Sequence, residues 1–335
     1  RLALAGRRLR GPTGVFAGVA ALAFVGVGAW LYWSTNIRNE FISPDQQLDL
    51  QARYERELSK YRTLPQPRIV AVDNRVDLFP ESQSMVIDAN WTVRNTHATP
   101  IQDVHVSMGD DKQLVAVDLG GQTLSMHDAD LGYRIYRLQK PLQPGETRSV
   151  HFRAVQKPNG ITAGQAPSNI VDNGTFVNNM EFAPMVGMDR QGLLTDRTKR
   201  RKAGLPAELR PARLEDESAR RHNYIGADWV TADITISTEA DQTVIAPGRM
   251  VSDVVNGDRR TSRFVTESPV LNFFSVQSAR YERTARMHDG VEMVVFHDPA
   301  HDRNVPRMLD GLAASLDYFQ ANFSAYQFRQ ARIVE

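Results

Sequence analysis

Two histidines four residues apart form the most suggestive metal-ligand pattern in the sequence. The string His297-Asp298-Pro299-Ala300-His301 has the spacing of the zinc-binding motif His-Glu-x-x-His, with aspartate in place of glutamate. Two histidines at this spacing reach one zinc ion only if the segment is helical. Pro299 stands at the centre and disfavours that helical turn. We therefore predict a polar loop after a strand here, and no metal ligand in this chain.

A second candidate for chemistry is the carboxylate of Glu181, which follows Asn178, Asn179 and Met180 and precedes Phe182. A glutamate between two large apolar residues either lies at the edge of a strand or faces a cleft. The sequence by itself leaves both readings open.

Several classes of active site are excluded by what the sequence lacks. It has no cysteine, which excludes disulfides, a thiol nucleophile and a cysteine-ligated zinc site. It also lacks the Gly-x-Ser-x-Gly pattern of a nucleophile elbow and any glycine-rich phosphate loop. We accordingly predict no catalytic residue within the chain.

One short segment is strongly basic, and a basic patch can bind nucleic acid or anionic lipid. Its cations are Arg197, Lys199, Arg200, Arg201 and Lys202. No stacking aromatic residues accompany them, acidic residues follow in the same segment, and the net charge of the chain is only +1. A solvated loop is the favoured reading, and nucleic acid is not a predicted partner.

An uncharged apolar run near the amino terminus predicts a transmembrane helix. Residues 15–33 read VFAGVAALAFVGVGAWLYW, which is long enough to cross a bilayer core of about 30 Å. The rival reading is a cleaved signal peptide, whose apolar region is usually shorter. Arginines are concentrated before the run, so we expect a cytoplasmic amino terminus and an extracytoplasmic main domain.

After this run the sequence predicts a mainly β protein. Ser43, Pro44 and Asp45 begin a linker helix, which is either a solvated stalk or docked on the domain that follows. Short, partly alternating segments rich in β-branched and aromatic residues then predict a large antiparallel β-sandwich or saddle. A helix from Pro306 and a strand from Phe328 predict the start of an α/β domain. The predicted boundaries are 1–37, 38–66, 67–301 and 302–335.

Two stretches resemble a known family. Residues 324–328, Ser-Ala-Tyr-Gln-Phe, resemble the turn that leads into the catalytic domain of aminopeptidase-N-like zinc metallopeptidases, the gluzincins. Residues 32–41 and 61–82 resemble bacterial proteins in which an ABC-transporter permease is fused to such a peptidase. Together these stretches imply a resemblance over nearly the whole chain.

This resemblance implies that the chain is a fragment. The family motifs His-Glu-x-x-His and Gly-x-Met-Glu-Asn would lie beyond Glu335, so the chain alone is expected to be inactive and to need no cofactor, with zinc in the complete parent. Glu181 is the nearest match to the polar side chain that holds the free amino group of a substrate in that family.

The implied function is the membrane-anchoring and substrate-facing part of a membrane-bound zinc aminopeptidase in the bacterial inner membrane, with a fused ABC-transporter permease. Expected partners are membrane lipid, a peptide substrate of the complete parent and an ABC-transporter ATPase subunit. The alternative is a non-enzymatic, extracytoplasmic binding or sensory β-domain of a transporter.

The arginine distribution generates a test of topology. Arg1, Arg7, Arg8 and Arg10 precede the apolar run, whereas Arg38 alone follows it closely. A reporter that is active only outside the cytoplasm, fused after residue 65, should therefore be active, and the chain should resist alkaline extraction from membranes. An active cytoplasmic reporter at the same site would reverse the orientation, and release by alkali would favour the signal peptide.

Overall fold

The computed structural model describes residues 11–39, 41–108, 113–158, 160–161, 169–211, 213–217, 219 and 227–335. The chain divides into two units. One consists of Arg1–Asp49 with Pro158–Pro167, and the other of Leu50–Lys157 with Ser168–Glu335. Most of the β structure lies in the second unit, and each unit is described separately below.

A long apolar helix dominates the first unit. Helix α1 (Pro12–Tyr32) begins with proline at its first turn, where no backbone donor is needed, and a six-residue π-helical turn (Trp33–Arg38) continues it. The large apolar side chains of α1 are exposed, Phe24 by 81%. Within the described part of the chain, Pro12–Arg38 is the one helix with the length and composition to cross a membrane.

The linker helix α2 (Pro44–Leu58) begins as the sequence predicts. The Ser43 hydroxyl accepts the Gln46 backbone N–H at 3.3 Å, and the Gln46 side chain accepts the Ser43 N–H at 2.8 Å. A short 3₁₀ helix (Ser59–Tyr61) follows. From residue 50 onward the helix is docked rather than solvated, because Ala52 and Leu58 are each only 1% exposed.

The remaining elements of the described residues are mostly strands, with three further helices and two 3₁₀ turns. The strands are β1 (Arg68–Phe79), β2 (Ser84–Arg94), β3 (Ile101–Ser107), β4 (Gln113–Asp118), β5 (Gln122–Asp128), β6 (Tyr133–Leu142), β7 (Thr147–Gln156), β8 (Ile170–Val171), β9 (Gly174–Asn178), β10 (Met185–Val186), β11 (Trp229–Glu239), β12 (Thr243–Ile245), β13 (Arg249–Asn256), β14 (Arg259–Val265), β15 (Val270–Leu271), β16 (Ser275–Ala279), β17 (Glu282–His288), β18 (Val291–His297) and β19 (Gln330–Val334). The helices are α3 (Asn179–Phe182), α4 (Arg197–Lys202) and α5 (Val305–Asn322), and the 3₁₀ turns are Arg190–Gly192 and Pro299–Asn304.

An eight-stranded sheet forms the centre of the second unit. Its order is β13-β14-β11-β1-β2-β7-β4, and β15 also pairs with β11. Two four-stranded sheets have the orders β10-β3-β6-β5 and β12-β16-β9-β8. The mainly β prediction is confirmed, but the large sheet is mixed rather than purely antiparallel, because β1 and β11 run parallel.

Alternation of apolar residues explains how the central sheet packs. Along β11 every second residue is buried, and Val230, Ile234 and Ile236 are each 0% exposed. These side chains join one continuous core with both four-stranded sheets. A buried hydrogen bond links the neighbouring strands β1 and β2, since the Trp91 indole N–H donates to the Asn74 side chain at 2.9 Å.

The edge strand β13 differs from the rest of the sheet because all eight of its residues are exposed. It pairs with β14 alone in the described sheet, and the register shifts between Met250 and Ser252. Several of its exposed side chains are apolar, including Met250, Val254 and Val255.

The last part of the chain forms a three-stranded sheet with α5. Strand β17 pairs antiparallel with β18, and β18 pairs parallel with β19 across the connection that contains α5. Leu309 and Leu316 of α5 pack against Met293 and Val295 of β18. A helix between two parallel strands is the expected α/β arrangement. This sheet joins residues on both sides of the boundary predicted at 301/302, which remains a prediction.

The solvated-loop reading of the basic segment is wrong for Arg200. Asp196 caps α4 by accepting the Lys199 N–H at 2.7 Å, and this short helix turns Arg200 inward until it is 1% exposed. The Arg200 guanidinium donates to both carboxylate oxygens of Glu55 on α2, at 2.7 and 2.8 Å. It also donates to the carbonyls of Leu194 and Pro206. A buried cation is tolerated here because its donors are satisfied.

This buried ion pair generates a test of how α2 is held. Glu55→Gln should lower the free energy of unfolding by about 3–5 kcal/mol, because it leaves the Arg200 charge buried without its partner. Chemical denaturation of the detergent-solubilised chain measures the change. Arg197→Ala, on the helix that carries Arg200, is the control, since the pair of Arg197 with Glu208 is 64% and 45% exposed and should contribute at most about 1 kcal/mol. Equal effects of the two substitutions would contradict the role of the buried Glu55–Arg200 pair in holding α2.

Candidate functional site

Glu181 belongs to a capped helical turn rather than to a strand edge. The Asn178 side chain accepts the backbone N–H groups of Met180 and Glu181 at 3.0 and 3.1 Å. In return, the Glu181 carboxylate accepts the Asn178 N–H at 3.2 Å. These reciprocal bonds form a capping box that begins α3. Sequence reasoning missed this role, although an asparagine three residues before a glutamate is its signature.

Two buried asparagines fix the position of this turn. The Asn179 amide donates to the Asn272 side-chain oxygen at 2.9 Å, and the Asn179 side-chain oxygen accepts the Phe274 N–H at 3.0 Å. The backbone N–H of Asn179 donates to the Phe274 carbonyl at 2.9 Å. Asn179 is 6% exposed and Asn272 is 7% exposed, so these bonds are protected from water. Glu181 is therefore presented from a rigid support.

The Glu181 carboxylate keeps capacity for a cationic ligand. The side chain is half-buried, and its two oxygens lie 3.4 Å from the Asn169 amide nitrogen. An ionised carboxylate has about four lone-pair positions, which exceed the donors that contact it here. The arrangement can accept hydrogen bonds from an ammonium group. A substrate-binding role for Glu181 remains a prediction.

The two candidate zinc histidines do not converge on one point. His297 ends β18 and is 3% exposed, with Nδ1 donating to the Asp298 carbonyl at 2.9 Å and Nε2 lying 3.1 Å from the Thr284 hydroxyl. His301 is exposed in the 3₁₀ turn Pro299–Asn304, and its own backbone is non-helical there. The expected loop is a short 3₁₀ turn, and both ring nitrogens of His297 already contact protein atoms.

His301 is part of a small polar cluster at the carboxyl ends of β18 and β19. Its Nδ1 contacts the Glu335 carboxylate, which also accepts the Asp298 N–H at 2.7 Å. The hydrogen bond to Glu335 raises the pKa of His301, while the Asp298 N–H and then His301 lower the pKa of Glu335. An open pocket of about 490 Å³ lies beside this cluster and includes His297 in its lining.

A different group of side chains comes within metal-ligand distance of one another. Within the described residues, ligand atoms of His288, Asp289 and Asp317 lie within 4.8 Å of each other, and His288 Nε2 is 2.6 Å from Asp317. One partly exposed histidine with two exposed carboxylates does not match the two histidines and one glutamate of zinc peptidases such as thermolysin. The described residues therefore do not fit a catalytic zinc site.

A buried histidine that the sequence did not single out lies beneath the linker helix. His105 is 3% exposed, and its Nδ1 lies 2.7 Å from the hydroxyl of the fully buried Tyr133. Burial lowers the pKa of His105 to about 4, so the ring is neutral at pH 7. Its environment, which includes the Tyr61 ring at 4.7 Å, indicates a packing role.

Comparison with known proteins gives a likeness in structure. No protein-family model matches the sequence, and no curated protein matches it. An M1 zinc metallopeptidase from Deinococcus radiodurans aligns over 81% of this chain and 57% of its own, with a TM-score of 0.54 and 15% identity. A mutant M1 zinc metallopeptidase from the same organism, bound to a Tyr-Ser-Ala substrate, aligns over 80% and 56%, with a TM-score of 0.52 and 15% identity. A two-domain M1 zinc metallopeptidase mutant bound to L-tryptophan aligns over 82% and 57%, with a TM-score of 0.53 and 13% identity.

These comparisons define the class of fold. This chain, which has a mixed eight-stranded sheet and smaller sheets, has the fold of part of an M1 zinc metallopeptidase. The sequence identity is 13–15%. It spans a little more than half the length of the structures that it matches, 56–57%. The expected resemblance to aminopeptidase-N-like peptidases is thus confirmed at the level of fold.

Proposed function

We propose that this chain is the membrane-anchoring and substrate-facing part of a membrane-bound zinc aminopeptidase of the M1 type. The observation that carries the proposal is the structural likeness to M1 zinc metallopeptidases over about four-fifths of the chain, 81% in one case. Helix α1, with the length and composition to cross a membrane, supports the anchor. Cleavage would be performed by residues outside this chain, because its described residues do not offer a matching zinc site.

Two finer elements belong to the same proposal. The protein is inserted in the inner membrane of a bacterium. Its amino terminus lies in the cytoplasm and its second unit lies outside the cytoplasm, which is the orientation that the arginine distribution favours. An ABC-transporter permease precedes the peptidase in the complete protein and recruits an ATPase subunit. This second element depends on the sequence resemblance of residues 32–41 and 61–82.

The competing candidate is a binding or sensory β-domain without catalytic activity. Its supporting observation is that His297 and His301 contact other groups of the protein, and that Glu181 caps a helical turn, so these three candidates already have structural roles. A peptidase fold can bind a peptide without cleaving it, because fold alone does not determine function.

Activity of the complete protein separates the two candidates. If the peptidase proposal holds, the purified complete protein should contain zinc, hydrolyse amino-acid anilides, lose this activity with a chelator and regain it with zinc. The matched control is the chain of residues 1–335, which should show neither stoichiometric zinc nor hydrolysis. A complete protein that binds peptides but contains no zinc and releases no product would establish the binding domain instead.

The recognition role of Glu181 can be tested in the same complete protein. Glu181→Gln keeps an oxygen that can accept the Asn178 N–H but removes the charge that would pair with a substrate ammonium. Loss of one partner costs about 1–3 kcal/mol, which is roughly 5- to 150-fold in kcat/KM for peptides with a free amino end. Steady-state kinetics on free and amino-blocked peptides should show the preference for the free amine shrinking by that factor.

Two controls separate recognition from folding. The thermal unfolding midpoint of Glu181→Gln should equal that of the parent, since the capping bond is retained. Glu208→Gln changes an exposed carboxylate whose described ion pairs are with Arg197 and Arg210, and it should leave the preference unchanged. An unaltered kcat/KM in Glu181→Gln would leave this residue with a capping role alone.

A further inference from the structure

The first unit brings together two segments that are far apart in the sequence. The Ser34 hydroxyl donates to the Ile161 carbonyl at 3.1 Å, and the Asn39 amide donates to the same oxygen at 3.0 Å. A carbonyl oxygen has two lone pairs, so these two donors satisfy it completely. The Asn39 amide also contacts the Ser34 carbonyl at 2.9 Å, which ties both donors to the π-helical turn.

A glycine allows this close approach. Gly160 has a φ of +80°, which L side chains rarely adopt, and a Cβ added to it would lie 3.4 Å from the Arg38 guanidinium and 3.6 Å from the Ser34 hydroxyl. Ser34 is consequently only 2% exposed, although α1 has no buried residue. The contact between the turn and residues 160–161 is therefore well packed.

The surface around this contact is apolar and exposed. The exposed fractions are 46% for Trp33, 65% for Ile37, 48% for Phe41, 46% for Ile42 and 44% for Ile161. These five side chains, held by Ser34 and Asn39, are called the collar below. The collar follows the exposed apolar helix α1 directly in the chain, and several large apolar side chains exposed on two neighbouring segments indicate an interaction site.

The chemistry of the collar fits the boundary layer of a bilayer. Trp30, Tyr32 and Trp33 lie at the carboxyl end of α1, and aromatic rings of this kind concentrate at the level of the lipid headgroups. The Arg38 guanidinium lies 6.0 Å from the centre of the Trp33 ring, which places a cation beside the apolar side chains. Apolar groups with a cation at their margin match the acyl chains and phosphates of phospholipids.

We propose that the collar lies in the headgroup layer of the membrane, so that residues 160–161 make a second membrane contact beside the transmembrane helix. The inference rests on the proposed membrane anchor and adds a lipid-binding surface built from two chain segments. The occupant is phospholipid rather than another protein, because the collar follows α1 directly in the chain and carries an aromatic ring and a neighbouring cation, Trp33 and Arg38, that suit the headgroup layer.

Site-specific labelling tests this directly, because the chain has no cysteine to remove. Single cysteines carrying a fluorescent dye are placed at Ile161 in the collar, at Ala21 within α1 and at Leu214, which is 86% exposed in the second unit. The full chain is reconstituted into vesicles of phosphatidylcholine and phosphatidylglycerol with a nitroxide on the headgroup or deep in the acyl chain. The Ile161 label should be quenched most by headgroup nitroxide, the Ala21 label by acyl-chain nitroxide, and the Leu214 label by neither.

A second set of variants tests the hydrogen bonds that hold the collar. The double substitution Ser34→Ala and Asn39→Ala removes both donors to the Ile161 carbonyl. It should reduce, by roughly tenfold, the equilibrium constant for holding residues 160–161 against the π-helical turn. Quenching of the Ile161 label should fall while that of the Ala21 label is unchanged. Thr35→Ala is the matched control, since the described hydrogen bonds of its hydroxyl stay within the same helical segment, to the Leu31 carbonyl at 2.8 Å and from the Asn36 amide at 2.9 Å.

The outcomes separate the collar from the anchor. Absence of acyl-chain quenching at Ala21 would overturn the membrane anchor itself, and the collar with it. Quenching at Ala21 with none at Ile161 would overturn the collar alone and indicate that a protein partner or water covers that surface. Equal quenching at Ile161 and Leu214 would show a non-specific approach of the chain to the bilayer and would likewise overturn the proposal.

Discussion

The parallel pairing of β1 with β11 is the contact on which the arrangement of the second unit depends. Residues 71–77 pair with residues 231–237, so two halves of the chain more than 150 residues apart meet at the centre of one sheet. A half-buried carboxylate lies at the start of this register, because Asp228 accepts the Ile69 N–H at 2.9 Å and pairs with Arg68 at 3.2 Å. Burial raises the pKa of Asp228, and these two partners oppose the shift. Without this pairing, β2, β7 and β4 on one side would be separated from β14 and β13 on the other.

Much of the fold was predictable because its signals are local. Alternation of apolar residues along strands such as β11, the Ser43 cap of α2 and the spacing of leucines in α5 are all read within about ten residues. The parallel pairing was not predictable, since nothing in either strand specifies a partner so distant. The prediction of a solvated loop was wrong at Arg200 for the same reason. Its partner Glu55 lies 145 residues away, and a basic run normally faces water.

The candidate site shows where sequence reasoning ends. The 297–301 string leads into a 3₁₀ turn, and His297 contacts Thr284 on a neighbouring strand and Asp298, the following residue. For Glu181, the sequence offered strand edge or cleft, whereas the structure adds a capping role that neither reading contained. Side-chain contacts from distant parts of the chain, such as those of Asn272, decide these positions and carry no local signal. A likeness to M1 peptidases in fold therefore leaves the chemistry to be established on the complete protein.

The exposed edge strand β13 has a consequence for handling the protein in solution. An unpaired strand edge carries a row of backbone donors and acceptors that can template the addition of another strand. Its apolar side chains, Met250, Val254 and Val255, would favour such stacking at high protein concentration. The register shift after Met250 opposes it by twisting the edge, and Arg249 and Asp253 oppose it because an added strand would remove water from their charges. The colloidal behaviour of the domain thus depends on one bulge and two charges rather than on its core.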